Sequence, residues 1–343
     1  MLPAVGSNFS IKEHLTLLEL SLACQNTDRT RALFDGRVTI DGCRLNLVTG
    51  PAEELFQRAF RHEEFDISEL SLSTHLLTTA RDQSRYIGVP AFVSRSFRHS
   101  AIYIRTDRGI DTPADLRGRR IGVPDFQQTA GVWVRGMLAE EYGVNTADAV
   151  WVTGGLEQRG RQVRMPLELP PQIRVEAAPA DQTLAAMLAD GELDAIVSPR
   201  APSCFGRQAS VARLFPDYRT AEEAYYAKCG IFPPMHLIGI RRSLAQAHPW
   251  LPVNVYAAFA KAKALAMADL AIVDTLRVTH PWITSEIERV RALMGDDYWR
   301  YGVAENRTEL EALLRYAQAD GLIREPVALD ALFAKTTFDG FNF

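Results

Sequence analysis

The strongest constraint on this chain is its alternation of short apolar strands with helical segments. Leu18, Leu20 and Leu22 alternate with Glu19 and Ser21, which makes Leu15–Ala23 a strand. Thr27 and Asp28 then cap a short helix through Phe34, which Asp35-Gly36 ends. Arg44–Val48 reads as a second strand, and Pro51-Ala52-Glu53-Glu54 opens a helix with proline and two acids in its first turn, where both are favoured. Phe65–Ile67 is a short strand, Ser71–Arg81 a helix, and Tyr86–Val93 and Ser100–Ile104 two further strands. This is the pattern of an α/β sheet.

A second α/β unit follows. The strand Ile121–Val123 leads into a helix over Thr129–Tyr142, with Val134, Met137, Leu138 and Tyr142 on one face and Gly143 ending it. Ala149–Val152 is the next strand, and Thr153–Pro171 is a polar, basic loop of a length that is usually functional or mobile. Ile173–Ala177 is a strand, Asp181 caps a helix carrying Leu184, Met187 and Leu188, and Asp194–Val197 is another strand. After the strand Leu237–Ile240 only helical patterns remain, over Leu251–Leu270, Ser285–Met294, Glu305–Ala319 and Pro326–Phe333. The expectation is a two-lobed α/β protein whose chain crosses between lobes more than once, with a helical tail packing back on the first lobe.

Charge and motifs exclude several classes. The net charge is −4, so the basic excess that a nucleic-acid or anionic-membrane partner calls for is missing. No apolar run approaches the ~20 residues of a membrane span. Met1–Ser10 has no basic region followed by an apolar stretch, and Lys12 and His14 come just before the first strand, so the cytoplasm is the expected location. Cys24, Cys43, Cys204 and Cys229 are widely spaced, which fits reduced structural thiols rather than a disulfide framework or a zinc module. Nucleotide-binding, nucleophile-elbow and zinc-protease motifs are all missing from the sequence.

Four clusters follow strand ends, where open α/β sheets place ligands. Thr27-Asp28-Arg29-Thr30-Arg31 starts the first helix and, taken alone, reads first as a cap with solvated arginines. Asp66–Ser73 puts Glu69 and several hydroxyls at a strand-to-helix turn, again open to a capping reading. Ser94–Ser100 holds Arg95, Arg98 and His99, suited to carboxylate recognition and proton transfer. Phe126-Gln127-Gln128-Thr129 begins a helix, whose N-terminal amides favour anions. Asp181-Gln182-Thr183, Ser198-Pro199-Arg200 and the segment before His236 are further candidates. His14, His99 and His236 border strands, whereas His75 reads as a packed core histidine. A metal set of Glu69, His99 and His236 has no fixed ligand spacing behind it.

The runs Phe65-Asp66-Ile67-Ser68-Glu69-Leu70-Ser71, Phe97-Arg98-His99-Ser100, Asp115–Pro124, Trp133–Leu138 and Trp151–Gly155 together resemble the 4,5-dihydroxyphthalate decarboxylase family. Pro179–Leu184, Asp194–Pro202 and Gly230–His236 extend the likeness, which runs from about Leu17 to the helical tail. The resemblance implies a type-2 periplasmic-binding-protein-like fold, divided as 1–95 for the first part of lobe 1, 96–234 for lobe 2 and 235–343 for the return to lobe 1 and the C-terminal helices. Hinges are expected near Ser94–His99 and Gly230–Met235.

It also implies non-oxidative loss of one carboxylate from 4,5-dihydroxyphthalate, giving protocatechuate and carbon dioxide in phthalate breakdown. That chemistry needs a base near a phenol, an acid near the carboxyl-bearing carbon and cations for the spared carboxylate. The expected roles are His99 or His236 as acid/base, Glu69 as phenol acceptor and Arg29, Arg98 and Arg200 as carboxylate clamps. Gln127, Thr129, Asp181 and Gln182 would orient the ring. No cofactor is expected, with a divalent metal left open, and the partner is a small aromatic dicarboxylate. A homo-oligomer is compatible with the sequence. The competing readings are a solute-binding protein for an aromatic carboxylate without chemistry, and another lyase on the same fold.

Overall fold

In the computed structural model, residues 17–160 and 165–338 are described. The readings made of Met1–Ser10, Lys12 and His14, and the part of the 153–171 loop at 161–164, lie outside them. The first lobe is laid down by β1 (Leu18–Ala23), α1 (Asp28–Phe34), β2 (Cys43–Val48), α2 (Ala52–His62), β3 (Ile67–Ser71), α3 (Leu72–Ala80) and β4 (Tyr86–Arg95). Leu20 and Leu22 of β1 point into the core, as their alternation requires. Thr27 and Thr30 form a reciprocal capping box at α1. In β3 and α3 the alternation fails because both faces are covered: all five residues of β3 are buried, as are Leu72 through Thr78 of α3.

The chain then crosses to a second sheet through a short 3-10 turn, His99–Ala101. There it forms β5 (Ile102–Arg105), β6 (Arg120–Val123), α4 (Thr129–Tyr142), β7 (Val150–Thr153), β8 (Arg174–Ala177), α5 (Leu184–Asp190), β9 (Ala195–Val197), β10 (Val211–Arg213) and α6 (Tyr218–Cys229). It returns as β11 (Pro234–Arg241) and ends in α7 (Arg242–Ala247), α8 (Leu251–Leu270), α9 (Ile283–Met294), α10 (Arg307–Ala319) and α11 (Leu329–Leu332). The five-stranded sheet runs β2-β1-β3-β11-β4 and the six-stranded sheet β10-β5-β9-β6-β7-β8. In the first, β11 lies antiparallel between β3 and β4, with His236 opposite Ser71 and Ser94. The two crossings touch where the Ser96 N–H donates to the Pro233 carbonyl at 3.1 Å.

The helical tail covers the first lobe, with α8 against α1 and β4 and α11 against α3, and α10 continues onto α4 of the second lobe. Gly136 makes the α10 contact feasible, because a Cβ there would collide with the Tyr316 ring. Beyond this face, Arg135 of α4 pairs with Asp320 just past α10 at 2.7 Å, both buried. At the start of α10, Glu309 meets Arg300 at 3.1 Å and Arg95 of β4 at 3.8 Å. The expected Asp181 cap is displaced: Thr183 caps α5, accepting from the Ala186 N–H, and Asp181 is exposed two residues upstream. β10, α6 and α7 were not anticipated from sequence.

Candidate active site

The C-terminal ends of β1, β2 and β3 face those of β6, β7 and β9 across a cavity of about 950 Å³. Its wall takes Gln25, one face of α2 from Ala52 to Arg61, Ser71 and Thr74 from the first lobe, Gln128, Thr129, Gln158 and Arg200 from the second, and Ser94, Arg98, Met235 and His236 from the crossing region. A separate groove of about 910 Å³, between α7, α8 and residues 326–336, contains none of the anticipated site residues.

The most specific arrangement in the wall is a histidine backed by a carboxylate. Glu69 lies in mid-strand on β3, not in the strand-to-helix turn expected, and is 2% exposed. Because β11 is seated beside β3, the His236 ring reaches it: Nδ1 is 2.6 Å from Oε1. The other oxygen, Oε2, accepts from the Gln25 N–H at 2.8 Å. Burial alone would push the Glu69 carboxyl up, but the His236 hydrogen bond and charge, the Gln25 N–H and the charge of Arg29 outweigh it and hold it below the ordinary value. Glu69 is therefore an anion that accepts from both neighbours, Nδ1 carries the proton, and Nε2 is left for the cavity. The Phe56 ring meets the imidazole nearly perpendicular to it, ring centres 4.8 Å apart, and restrains its plane.

Cations flank this pair. Arg98 places Nε 3.3 Å from the Met235 sulfur and makes no ion pair among the described residues. Burial lowers its guanidinium to about 10, with Glu222 pulling the other way, so it remains charged at neutral pH. Arg200, three residues past the end of β9, also lines the cavity without an ion pair among the described residues. At the inner end the N-termini of α3 and α4 meet through hydroxyls. Thr129 Oγ1 lies 3.1 Å from Ser71 Oγ and 2.9 Å from Ser73 Oγ, and Ser73 donates to the Gln127 carbonyl at 2.6 Å.

Other anticipated residues sit elsewhere. His99 is 1% exposed, wedged between Phe215 and Tyr225 at 5.1 and 5.4 Å, and does not reach the cavity wall. Burial pushes its imidazole down to about 4, so it is neutral. Arg29 stacks on Trp299 at 4.3 Å, donates to the Val93 carbonyl at 2.6 Å and pairs with Asp28. The Gln127 side chain is fully buried away from the wall, without a hydrogen-bond partner among the described residues. Gln182 bonds Glu192 and, with Asp181, lies outside the cavity. Glu69 stands behind His236, with its two oxygens on His236 and Gln25. Phe56 and the acidic first turn of α2 were missed as site residues because the sequence motif there reads fully as a helix start. Among the described residues no group of three or more His, Cys, Asp or Glu is placed to hold a metal ion, and no helix is long and apolar enough to cross a membrane.

Fold and cavity together define a two-lobed protein of the periplasmic-binding type, carrying a histidine–carboxylate pair in its cleft. A sulfonate-binding protein of Methylobacillus flagellatus has this fold, with a TM-score of 0.54 at 12% identity over 93% of this chain and 92% of that one. A protein from Archaeoglobus fulgidus does so with a TM-score of 0.51 at 16% identity, over 89% and 98%. No family model matches the chain. A 4,5-dihydroxyphthalate decarboxylase of Comamonas testosteroni is 44% identical over 329 residues, 96% of this chain and all of that protein. A second protein of that name, from Pseudomonas putida, is 50% identical over 210 residues, 61% of this chain and 81% of its own length. The chain belongs to the 4,5-dihydroxyphthalate decarboxylase family.

Proposed function

We propose that the chain removes one carboxylate from 4,5-dihydroxyphthalate without oxidation, giving protocatechuate and carbon dioxide, a step in phthalate breakdown. The Glu69–His236 pair carries this reading, because a cleft that only binds a dianion needs cations but no oriented proton donor. Arg98 and Arg200 hold the carboxylates, and the ring lies against His236. As the hydroxyl para to the departing carboxylate gives up its proton, electron density moves to the carboxyl-bearing carbon, which takes a proton that solvent has first placed on His236 Nε2, Nδ1 keeping its own toward Glu69. The carbon–carbon bond then breaks, its electron pair restores the aromatic ring, the hydroxyl regains a proton and carbon dioxide leaves. Solvent reprotonates the imidazole, so the net change is replacement of a carboxylate by hydrogen. Thr129 and Ser71 bound the inner end of the site, and closure of the lobes excludes water.

The four unpaired cysteines fit a reducing compartment, and a cytoplasmic location is part of the proposal. So is the division of the chain at its two crossings, 1–95, 96–234 and 235–343. The test is to incubate EDTA-treated protein with 4,5-dihydroxyphthalate and follow both compounds by chromatography. Protocatechuate should appear, and His236→Ala should lower its rate by about 10²–10⁴-fold, whereas His99→Ala should not. Tight binding of unchanged substrate, with and without added divalent ions, would move the assignment to a solute-binding protein.

A further inference from the structure

Among the described residues five hydroxyl side chains line the cavity, and four of them are committed within the protein. Ser71 and Thr129 meet at 3.1 Å, Thr74 donates to Ser71, and Thr78 donates to the Thr74 carbonyl. Ser94 is the exception. It is half-buried in the wall and makes no side-chain hydrogen bond among the described residues. Its direction follows from the strand. Arg95, the next residue of β4, turns to the opposite face, where it bonds the Phe232 and Arg300 carbonyls. Ser94 therefore faces the cleft, in register opposite His236 of β11. Residues paired in this way share a face of the sheet, with their Cβ atoms about 5 Å apart. Ser71, His236 and Ser94 thus form one row across three adjacent strands.

The chain leaving β4 brings a cation to the same neighbourhood: Arg98, four residues after Ser94, reaches the sulfur of Met235, the residue before His236. A carboxylate has acceptors only, so a serine hydroxyl and a guanidinium can both donate to one, at different oxygens. In an ortho-diacid the second carboxylate sits on the ring carbon next to the one being protonated. A ring whose reacting carbon meets His236 Nε2 therefore carries its other carboxylate beside the imidazole, within reach of the neighbouring strand. We infer that Ser94 donates a hydrogen bond to the spared carboxylate, which it shares with Arg98, and so fixes which of the two adjacent carboxylates stays bound and which faces Nε2. This rests on the decarboxylase reading and deepens it. The proposed contact is made equally by substrate and product, because the spared carboxylate is unchanged by the reaction.

The test is equilibrium binding of phthalate and of protocatechuate to the full chain by calorimetry. Phthalate lacks the hydroxyl that drives the reaction and protocatechuate is the product, so neither turns over. Apart from the ring, the group they share is the spared carboxylate. Ser94→Ala should weaken both by the same factor, about 10- to 100-fold, the weight of a hydrogen bond to a charged group. Ser94→Cys, close in size but a much weaker donor, should show the same loss, and circular dichroism melts of both variants control for folding. Loss of phthalate binding alone would assign Ser94 to the departing carboxylate, and loss of protocatechuate binding alone to a ring hydroxyl. Either result overturns the inference, as does unchanged binding of both ligands in folded variants. A wild type that binds both ligands, with the shared loss in Ser94→Ala, but releases no carbon dioxide from 4,5-dihydroxyphthalate refutes the decarboxylase reading while leaving carboxylate recognition by Ser94 in place.

Discussion

Replacing Glu69 by glutamine separates proton handling from binding more sharply than any other single change. Two donors, His236 Nδ1–H at 2.6 Å and the Gln25 N–H at 2.8 Å, face the two carboxylate oxygens in a site 2% exposed. A glutamine side chain has one acceptor oxygen and one NH₂ group. Whichever way the amide is turned, one donor faces another donor without access to water, at a cost of about 1–3 kcal/mol of folding stability. If the oxygen stays with Gln25, His236 Nδ1 must shed its proton to accept from the amide, and Nε2 then carries one proton it no longer readily gives up. If it stays with His236, the imidazole keeps its place but loses the anion that stabilises its charged form. Either way kcat should fall by about 10²–10⁴-fold. KM should change little, because Arg98 and Arg200 are untouched. Steady-state kinetics by chromatographic product formation, paired with urea unfolding, reads both numbers. An unchanged kcat in a destabilised protein would refute the dyad and leave Glu69 a purely structural anion.

Further expectations concern stability. Asp320→Ala strands the Arg135 guanidinium, which is fully buried, and should cost about 3–5 kcal/mol in urea unfolding. Gly136→Ala drives a methyl group into the Tyr316 ring and should cost about 1–3 kcal/mol by the same measurement. Burial pushes both His75 and His99 down to about 4, so between pH 6.5 and 4 the unfolded chain binds protons that the native one refuses. Their share of the stability is complete above pH 6.5 and is lost as the pH falls toward 4, by at most about 1.4 kcal/mol per pH unit for each. Unfolding of His99→Phe across this window should show a shallower slope than the wild type.

Much of the architecture was legible because strand alternation and helix punctuation are local. Thr129–Tyr142 and Leu251–Leu270 fall where the apolar spacing and Gly143 put them. Other elements escaped for physical reasons. The Ile67–Ser71 strand looked like a turn because a polar Ile-Ser-Glu-Leu-Ser run is an unusual content for a strand buried on every side, and partners distant in sequence, His236 on β11 and the Gln25 N–H for Glu69 and Thr129 for Ser71, make it tolerable. The site was legible as a set of candidates, not as a geometry. Nothing local to Glu69 or His236 announces that residues 167 positions apart in sequence share a hydrogen bond. His99, next to Arg98, illustrates the converse, since neighbours on a 3-10 turn point to different surroundings: Arg98 lines the cleft and His99 enters the aromatic core of the second lobe.

The seating of α10 has a mechanical consequence. Its first turn is held by Glu309 to Arg95 on the first sheet, and the residue just beyond its end, Asp320, is held to Arg135 on the second lobe's main helix. Eleven residues of helix set those two anchor points roughly 16 Å apart. A stiff rod fastened at both ends acts as a strut, so the lobes can pivot about its line but cannot draw apart along it. A ligand in this cleft would then enter by a rocking motion of small amplitude, unlike a jaw that swings fully open on two hinge strands alone.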